Sequence, residues 1–362
     1  MDSFAFIIHP IDPKRDVSRK FPLLGRVLNE RQIDFFSTFF PPIYISEIEG
    51  ITSAATGKVI KGWFLACPYT PRRMRELPVH TVYRKIIQTG RMAESLGAQI
   101  LGLGAFTSVV GDAGVTIANS LEVPVTTGDS FTVAMAVQSI CEAAALMDIQ
   151  IENATVAVVG ASGTIGRVCS QLFAGRAART LLIARDENKL VALRDQLSVD
   201  ARSELITSTK MDRLKDAHLI LTVTSAIHDV LRPENLQPGS VICDVARPRD
   251  VSAMVATVRD DILVIDGGMV DVPGPVNFNF NFGFPEGKAY ACMAETMALA
   301  LEGRFEDYTV GRKIEMSRVN EITAIAERHG FRLSGFRSFE REVTDAQIET
   351  VRRNARKGQR RV

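Results

Sequence analysis

The stretch that decides the fold is Thr155-Val156-Ala157-Val158-Val159 followed by Gly160-Ala161-Ser162-Gly163-Thr164-Ile165-Gly166. The first five residues are β-branched or small and apolar, which reads as a strand buried on both faces. Ile165, Val168, Cys169, Leu172 and Phe173 then fall at helical spacing, so the period changes from strand to helix across the glycines. A second apolar run, Thr180-Leu181-Leu182-Ile183-Ala184, follows and ends at Arg185. Strand, glycine turn, helix and strand make a βαβ unit whose helix N-terminus presents backbone N–H groups to a pyrophosphate. Glycines spaced GxxGxxG are weaker evidence than GxGxxG, and a tight turn holding nothing gives the same pattern; the two flanking strands favour a dinucleotide.

The residues after the second strand bear on which dinucleotide. Arg185 suits the 2′-phosphate of NADPH, because a guanidinium forks onto phosphate oxygens. Lys189 lies a helical turn further on, and Asp186 offers the competing reading, a carboxylate for a ribose hydroxyl. The cofactor expected is NADPH, held by Gly160, Ser162, Gly163, Thr164, Ile165, Gly166 and Arg185. Apolar runs at His218–Val223, Ser240–Val245 and Ile262–Ile265 extend the sheet. Ligands in such sheets sit outside the carboxyl ends of strands, so Thr224 and Ser225 are placed near the nicotinamide.

With 362 residues and 46% hydrophobic content the chain can build two cores. A net charge of +1 provides no global field for nucleic acid or an anionic membrane. Five cysteines without a CxxC pair argue against a disulfide framework or structural zinc. No signal peptide or membrane span is evident, and a cytoplasmic enzyme is the natural expectation.

Outside the dinucleotide unit, Phe4–Ile8, Ile43–Ile48, Val59–Ala66, Ile100–Phe106 and Val123–Thr126 read as strands. Phe35, Phe36, Phe39 and Phe40 are spaced to pack in a core or line an apolar cleft. Pro71 opens a basic helix carrying Arg72, Arg73 and Arg75, with Pro78 as a break; a solvated face is the simplest account of its charge. Phe131–Met147 is an alanine-rich helix with Asp129 or Ser130 as its cap. Asn277–Phe282 alternates at period two, which predicts a strand with three phenylalanines on one face, facing a core or a channel for a greasy substrate. A last helix is expected from near Lys288, with Cys292 in its first turns. The helix dipole there lowers a thiol's pKa, although a lone cysteine between Ala291 and Met293 is more often a small buried hydrophobe. The fold class is α/β: a Rossmann-type doubly wound parallel sheet with a second α/β substrate-binding domain. The division expected is 1–130 for substrate or carrier, 131–275 for the dinucleotide, 276–336 for the nucleophile helix and 337–362 for a basic, flexible tail.

Taken together, several blocks resemble the long-chain acyl-[acyl-carrier-protein] reductases that make fatty aldehydes. They are Arg72-Arg73 through Arg84-Lys85-Ile86, Leu103-Gly104-Ala105-Phe106-Thr107-Ser108, Thr126-Thr127-Gly128, the glycine turn, Leu182-Ile183-Ala184-Arg185, Asp266-Gly267-Gly268, Ala291-Cys292 with Ala294-Glu295, Leu301-Glu302-Gly303, and His329-Gly330-Phe331. The resemblance runs from about Ile51 to Arg332. The first fifty residues, the tail after Phe331 and the FNFNFGF stretch depart from it, which bears on chain length and carrier.

What the resemblance implies is that Cys292 accepts the acyl group of an acyl carrier protein or acyl-CoA thioester and that NADPH reduces it. Ser108, Thr127 and Ser130 are then candidate donors to the oxyanion, and no histidine is assigned as a base. The arginines from Arg72 to Arg75 suit an acidic carrier, and an aldehyde-consuming enzyme is a further expected partner. Nucleic acid is not expected, since the arginine-rich tail lacks interleaved aromatics, and peripheral membrane contact stays open. Two rival readings keep the nucleotide site. One is a dehydrogenase of the shikimate or methylene-tetrahydrofolate type acting on a small polar substrate, and the other is a non-enzymatic NADP-binding protein.

Overall fold

The computed structural model describes residues 1–359 and divides into two compact units, Met1–Thr132 with Val270–Ser334, and Val133–Met269 with the chain from Gly335 onward. The sequence reading places the breaks at 130, 275 and 336.

In the first unit β1 (Ser3–Ile8), β2 (Ile43–Thr52), β3 (Val59–Ala66), β4 (Leu101–Leu103) and β5 (Val125–Thr126) form a sheet in the order β2-β3-β1-β4-β5. β1 lies at its centre, parallel to both β3 and β4, and its Phe4, Ala5, Phe6 and Ile7 have no exposure. Its apolar run thus fits a strand covered on both faces. β2 runs antiparallel to β3 around a turn at Thr56-Gly57-Lys58. Helices Pro71–Glu76 and Val79–Ser95 follow; Thr70 caps the first by accepting the Arg73 N–H, and Pro78 separates them. Three short helices, Pro13–Lys20, Pro22–Val27 and Glu30–Ser37, occupy the stretch whose mixed composition gives no clear period.

The second unit carries β6 (Thr155–Val159), β7 (Arg179–Ile183), β8 (Glu204–Ser208), β9 (Leu219–Thr222), β10 (Val241–Asp244) and β11 (Leu263–Asp266). All neighbours are parallel, in the order β11-β10-β9-β6-β7-β8. Counted from β6 this is 3-2-1-4-5-6, the doubly wound dinucleotide order, with its switch point between β6 and β9. β8 has no counterpart among the predicted strands, because it is an edge strand whose residues are all at least partly exposed and so carry no apolar run. Helix Asp345–Gln359 occupies most of the stretch expected as a flexible tail; its Arg352 pairs with Asp148 and Glu349. Residues 360–362 of that expected tail lie outside the described residues. Among the described residues, no helix is long and apolar enough to cross a membrane.

Two expectations near Cys292 are corrected. Lys288–Tyr290 is a strand (β13, pairing with β12, Met269–Asp271), and the helix begins at Ala291. Asn277–Phe282 is not a strand beyond one bridge from Asn277 to Glu49. Its asparagines turn the chain instead: Asn277 Oδ1 accepts the Asn279 N–H and Asn281 Oδ1 accepts the Gly283 N–H, each at 2.9 Å. Such local side-chain bonds compete with a ladder. The phenylalanines form a cluster rather than a face, with Phe278 and Phe282 both on Phe64 and Phe284 on Tyr290.

Candidate active site

In the dinucleotide unit the glycine turn follows β6 directly. Gly160 has φ +88°, and a Cβ there would lie 2.9 Å from the Val223 carbonyl oxygen at the end of β9. Its N–H and that of Ala161 donate to the Ile183 carbonyl, so the turn is held against the end of β7. Gly163 begins helix Thr164–Ala174 as its cap, and a Cβ on Gly166 would strike the Gly160 carbonyl at 2.2 Å. The N–H groups of Thr164, Ile165 and Gly166 open that helix with no acceptor inside it, and Gly163 and Ser162 are not covered by the fold. A cradle closed to side chains with free N–H groups at a helix start fits a pyrophosphate.

Arg185 is exposed and forms no ion pair among the described residues. Asp186, its rival, caps helix Glu187–Leu197 by accepting the Lys189 N–H at 3.1 Å and pairs with the Lys189 ammonium at 3.5 Å.

At the other side of the switch point, Thr224 is locked by a carboxylate that sequence reading does not single out. Asp250, without exposure, accepts the Thr224 N–H at 2.9 Å, and accepts from the Thr224 and Thr222 hydroxyls. Asp244 holds the Asp250 and Val251 N–H groups at 3.1 Å. Burial raises both carboxyls, Asp244 to about 6. Ser225 stands exposed next to this anchored threonine.

In the first unit, helix Ala291–Glu302 is buried along Met293–Leu301 and starts at Tyr290 without a side-chain cap. Cys292 is its second residue and is partly exposed, whereas Cys67, Cys169 and Cys243 are buried. The loop after β5 lies against it: Gly128 has φ +76°, and a Cβ there would stand 2.3 Å from Cys292 Cα. The loop after β4 meets the sulfur as well. Ala105 adopts φ +47° and ψ −120°, a region left almost entirely to glycine, and its N–H acts on the thiol to favour the thiolate. The Met293 N–H does the same from the helix side. Strain at Ala105 therefore turns a backbone donor toward Cys292.

The thiol's acidity runs opposite to the helix-dipole expectation. Burial pushes Cys292 up to about 12, and the Asp129 and Glu295 carboxylates push the same way, against the two N–H groups. Desolvation and two nearby acids outweigh the dipole at the first turn.

Those acids form the second unforeseen feature. Glu295, without exposure, accepts from the Thr126 hydroxyl, from the Thr309 hydroxyl at 2.8 Å and from the Phe131 N–H at 2.8 Å. Burial raises its pKa even so. Asp129 is 5% exposed and is raised to about 7, first by burial and then by Glu295, while the Thr127 hydroxyl beside it, short of regular hydrogen-bond geometry, lowers it. A carboxyl titrating near neutrality whose charge acts on a thiol is a candidate to move its proton. Ser108 spends its hydroxyl on the Ala105 carbonyl at 2.7 Å, and the Ser130 and Thr309 hydroxyls lie 2.8 Å apart. Ser108 is thus tied to the strained loop and Thr127 to Asp129. The signal available for Asp129 was only its expected place as a helix cap.

Comparison with known proteins adds the following. The family model described as shikimate / quinate 5-dehydrogenase matches residues 142–266, within the dinucleotide unit. Aminotransferase PigE of Serratia sp. (strain ATCC 39006) is 36% identical over 97% of this chain, which spans only 42% of that protein's length. A long-chain acyl-[acyl-carrier-protein] reductase of Synechococcus elongatus is 29% identical, with 91% of this chain and 98% of that one covered. Among solved structures, L-tryptophan dehydrogenase from Nostoc punctiforme aligns over 100% of this chain and 89% of its own, with a TM-score of 0.42 and 12% identity; the likeness bears on no activity. The chain therefore carries a Rossmann-type unit of the nicotinamide-dinucleotide-binding oxidoreductase kind and shows distant similarity to a reductase.

Proposed function

We propose that the chain reduces an acyl thioester, borne by acyl carrier protein or coenzyme A, to an aldehyde by way of an acyl group on Cys292, with NADPH as reductant. The observation that carries this reading is the setting of the thiol: a partly exposed cysteine at a helix start, the Ala105 and Met293 N–H groups favouring its thiolate, and Asp129, raised to about 7, close enough for its charge to act on the thiol. Asp129 in its ionised form accepts the Cys292 proton, and the sulfur attacks the thioester carbonyl. The carbon–sulfur bond to the carrier then breaks, and Asp129 passes the proton to the departing thiolate. The acyl group has changed sulfur with no net change of charge. The N–H groups of Ala105 and Met293 are the donors nearest the charge that develops in this transfer, with Ser108 and Thr127 supporting the loops. NADPH, when bound, supplies hydride to the acyl carbonyl.

The free guanidinium of Arg185 and the engagement of Asp186 as a cap support NADPH over NADH, with Gly160, Ser162, Gly163, Thr164, Ile165 and Gly166 as the phosphate cradle and Thr224 and Ser225 toward the nicotinamide. Carrier docking on helix Pro71–Glu76 rests on Arg75, since Arg72 pairs with Glu76 and Arg73 with Glu76 and Asp34. Similarity to a longer protein named an aminotransferase supports an amine-forming enzyme as consumer of the product, because transamination acts on a carbonyl.

Mixing the protein with decanoyl-CoA in the absence of nucleotide, then mass spectrometry, tests the reading. An acyl adduct on Cys292 that is absent from Cys292→Ala supports it. The match to shikimate / quinate 5-dehydrogenase favours a second reading, hydride transfer to a small polar substrate. That reading gains if no adduct forms while nucleotide binding is intact.

A further inference from the structure

The first unit contains a cavity of about 300 Å³ whose wall includes Tyr290 and Met293, the residues on either side of Ala291-Cys292. Its remaining wall comes from β1, β2 and β3 through Ile8, Ile45 and Ala66, from the coiled Phe280 and Phe282, and from the three short helices of residues 13–37. Charged side chains also line it, but the protein itself uses them. Arg19 bonds to Asp16 at 2.9 Å and to the Phe282 carbonyl at 3.1 Å. Lys20 donates to the Ile45 carbonyl at 2.6 Å, and Ser37 to the Asp34 carbonyl at 2.7 Å. Asp16 also accepts the Ile11 and Asp12 N–H groups at 2.9 Å. His9, lowered to about 4 by burial, is neutral and accepts the Phe106 N–H at 2.9 Å. With its cations consumed, such a wall selects an apolar occupant.

Resting on the acyl-thioester reading above, we propose that this cavity holds the acyl chain and sets a medium-chain limit. A cavity of about 150 Å³ accepts benzene, six carbons, so 300 Å³ holds about twelve carbons on that scale. Beyond this the chain leaves the wall where Phe21, Leu24 and Phe40 both line the cavity and stand 37%, 37% and 42% exposed. Additional methylenes are then only partly removed from water and add little. The long-chain preference implied by the sequence resemblance gives way to a rise in selectivity over the medium range and a plateau above it.

The test is the second-order rate of Cys292 acylation by straight-chain acyl-CoA of four to eighteen carbons, read by quenching and mass spectrometry without nucleotide. Up to about fourfold gain is expected per methylene between four and ten carbons, levelling near twelve. Ala66→Phe, which fills part of the wall, should move the break to shorter chains. Ile33→Ala, which enlarges the same wall, should move it to longer ones. Each variant is checked by urea unfolding, so a misfolded first unit is recognised. Rates that are flat across all lengths, or that keep climbing through eighteen carbons regardless of either substitution, overturn the pocket assignment while leaving acyl transfer intact. Absence of any adduct at every length overturns the thioester reading and the pocket with it.

Discussion

Replacing Asp129 by Asn probes both the chemistry and the energetics of the site. Asp129 is raised from 3.8 to about 7, first by burial and then by Glu295. A carboxyl whose folded pKa lies above its unfolded one stabilises the fold below the unfolded value and loses that contribution as pH rises through the folded one. The relevant window therefore runs from about pH 4 to about pH 7. The gap spans roughly three pH units at about 1.4 kcal/mol each, so keeping Asp129 ionised costs the fold about 4 kcal/mol above pH 7. Asn has the same shape and no charge. Urea unfolding should show Asp129→Asn more stable than wild type at pH 8.5, and the gain should exceed that at pH 5 by about 2–3 kcal/mol. Acyl transfer to Cys292 should fall by 10²–10⁴, the usual worth of a positioned base, and the rise of the wild-type rate through pH 7 should vanish. Removing the carboxylate also relieves Cys292, whose pKa it raises, so alkylation by iodoacetamide at pH 8.5 should become faster as acyl transfer becomes slower. A variant with wild-type acyl transfer, or with a stability difference that ignores pH, would refute the role given to Asp129.

Gly128→Ala should remove most acyl transfer and destabilise the protein by about 1–3 kcal/mol, because the residue has φ +76° and the new methyl would stand 2.4 Å from Cys292 Cβ; denaturation and acylation assays read the two effects separately. Arg185→Ala should weaken NADPH by about 1.5–3 kcal/mol and leave NADH nearly unchanged, and equal losses in titrations of both nucleotides would remove Arg185 from the 2′-phosphate. Iodoacetamide should label the partly exposed Cys292 and Cys141 before the buried Cys67, Cys169 and Cys243, with the rate at Cys292 still climbing above pH 9 because its pKa is about 12. A plateau of Cys292 labelling near pH 7 would show a thiolate already formed.

The dinucleotide unit is legible in the sequence because its determinants are local. A doubly covered parallel strand must read as an unbroken apolar run, and a strand-to-helix turn that approaches Val223 and its own first turn needs glycine at 160 and 166. The place of Cys292 at a helix start is local too, apart from three residues of strand at Lys288–Tyr290. Its acidity is not. Helix position alone argues for a lowered pKa, whereas burial and the carboxylates of Asp129 and Glu295, one of them brought from a distant part of the chain, decide for a raised one. The FNFNFGF segment shows the same limit: period two predicts a strand, but asparagine side chains bonding to their own backbone and Phe64 waiting beneath coil it instead. The cavity is assembled from three strands, three short helices and this coil, and its volume exists only once they pack. Covalent pattern determined which segments become strand, turn and helix, while desolvation, charge proximity and enclosed volume, which depend on residues remote in sequence, were decided by the tertiary structure.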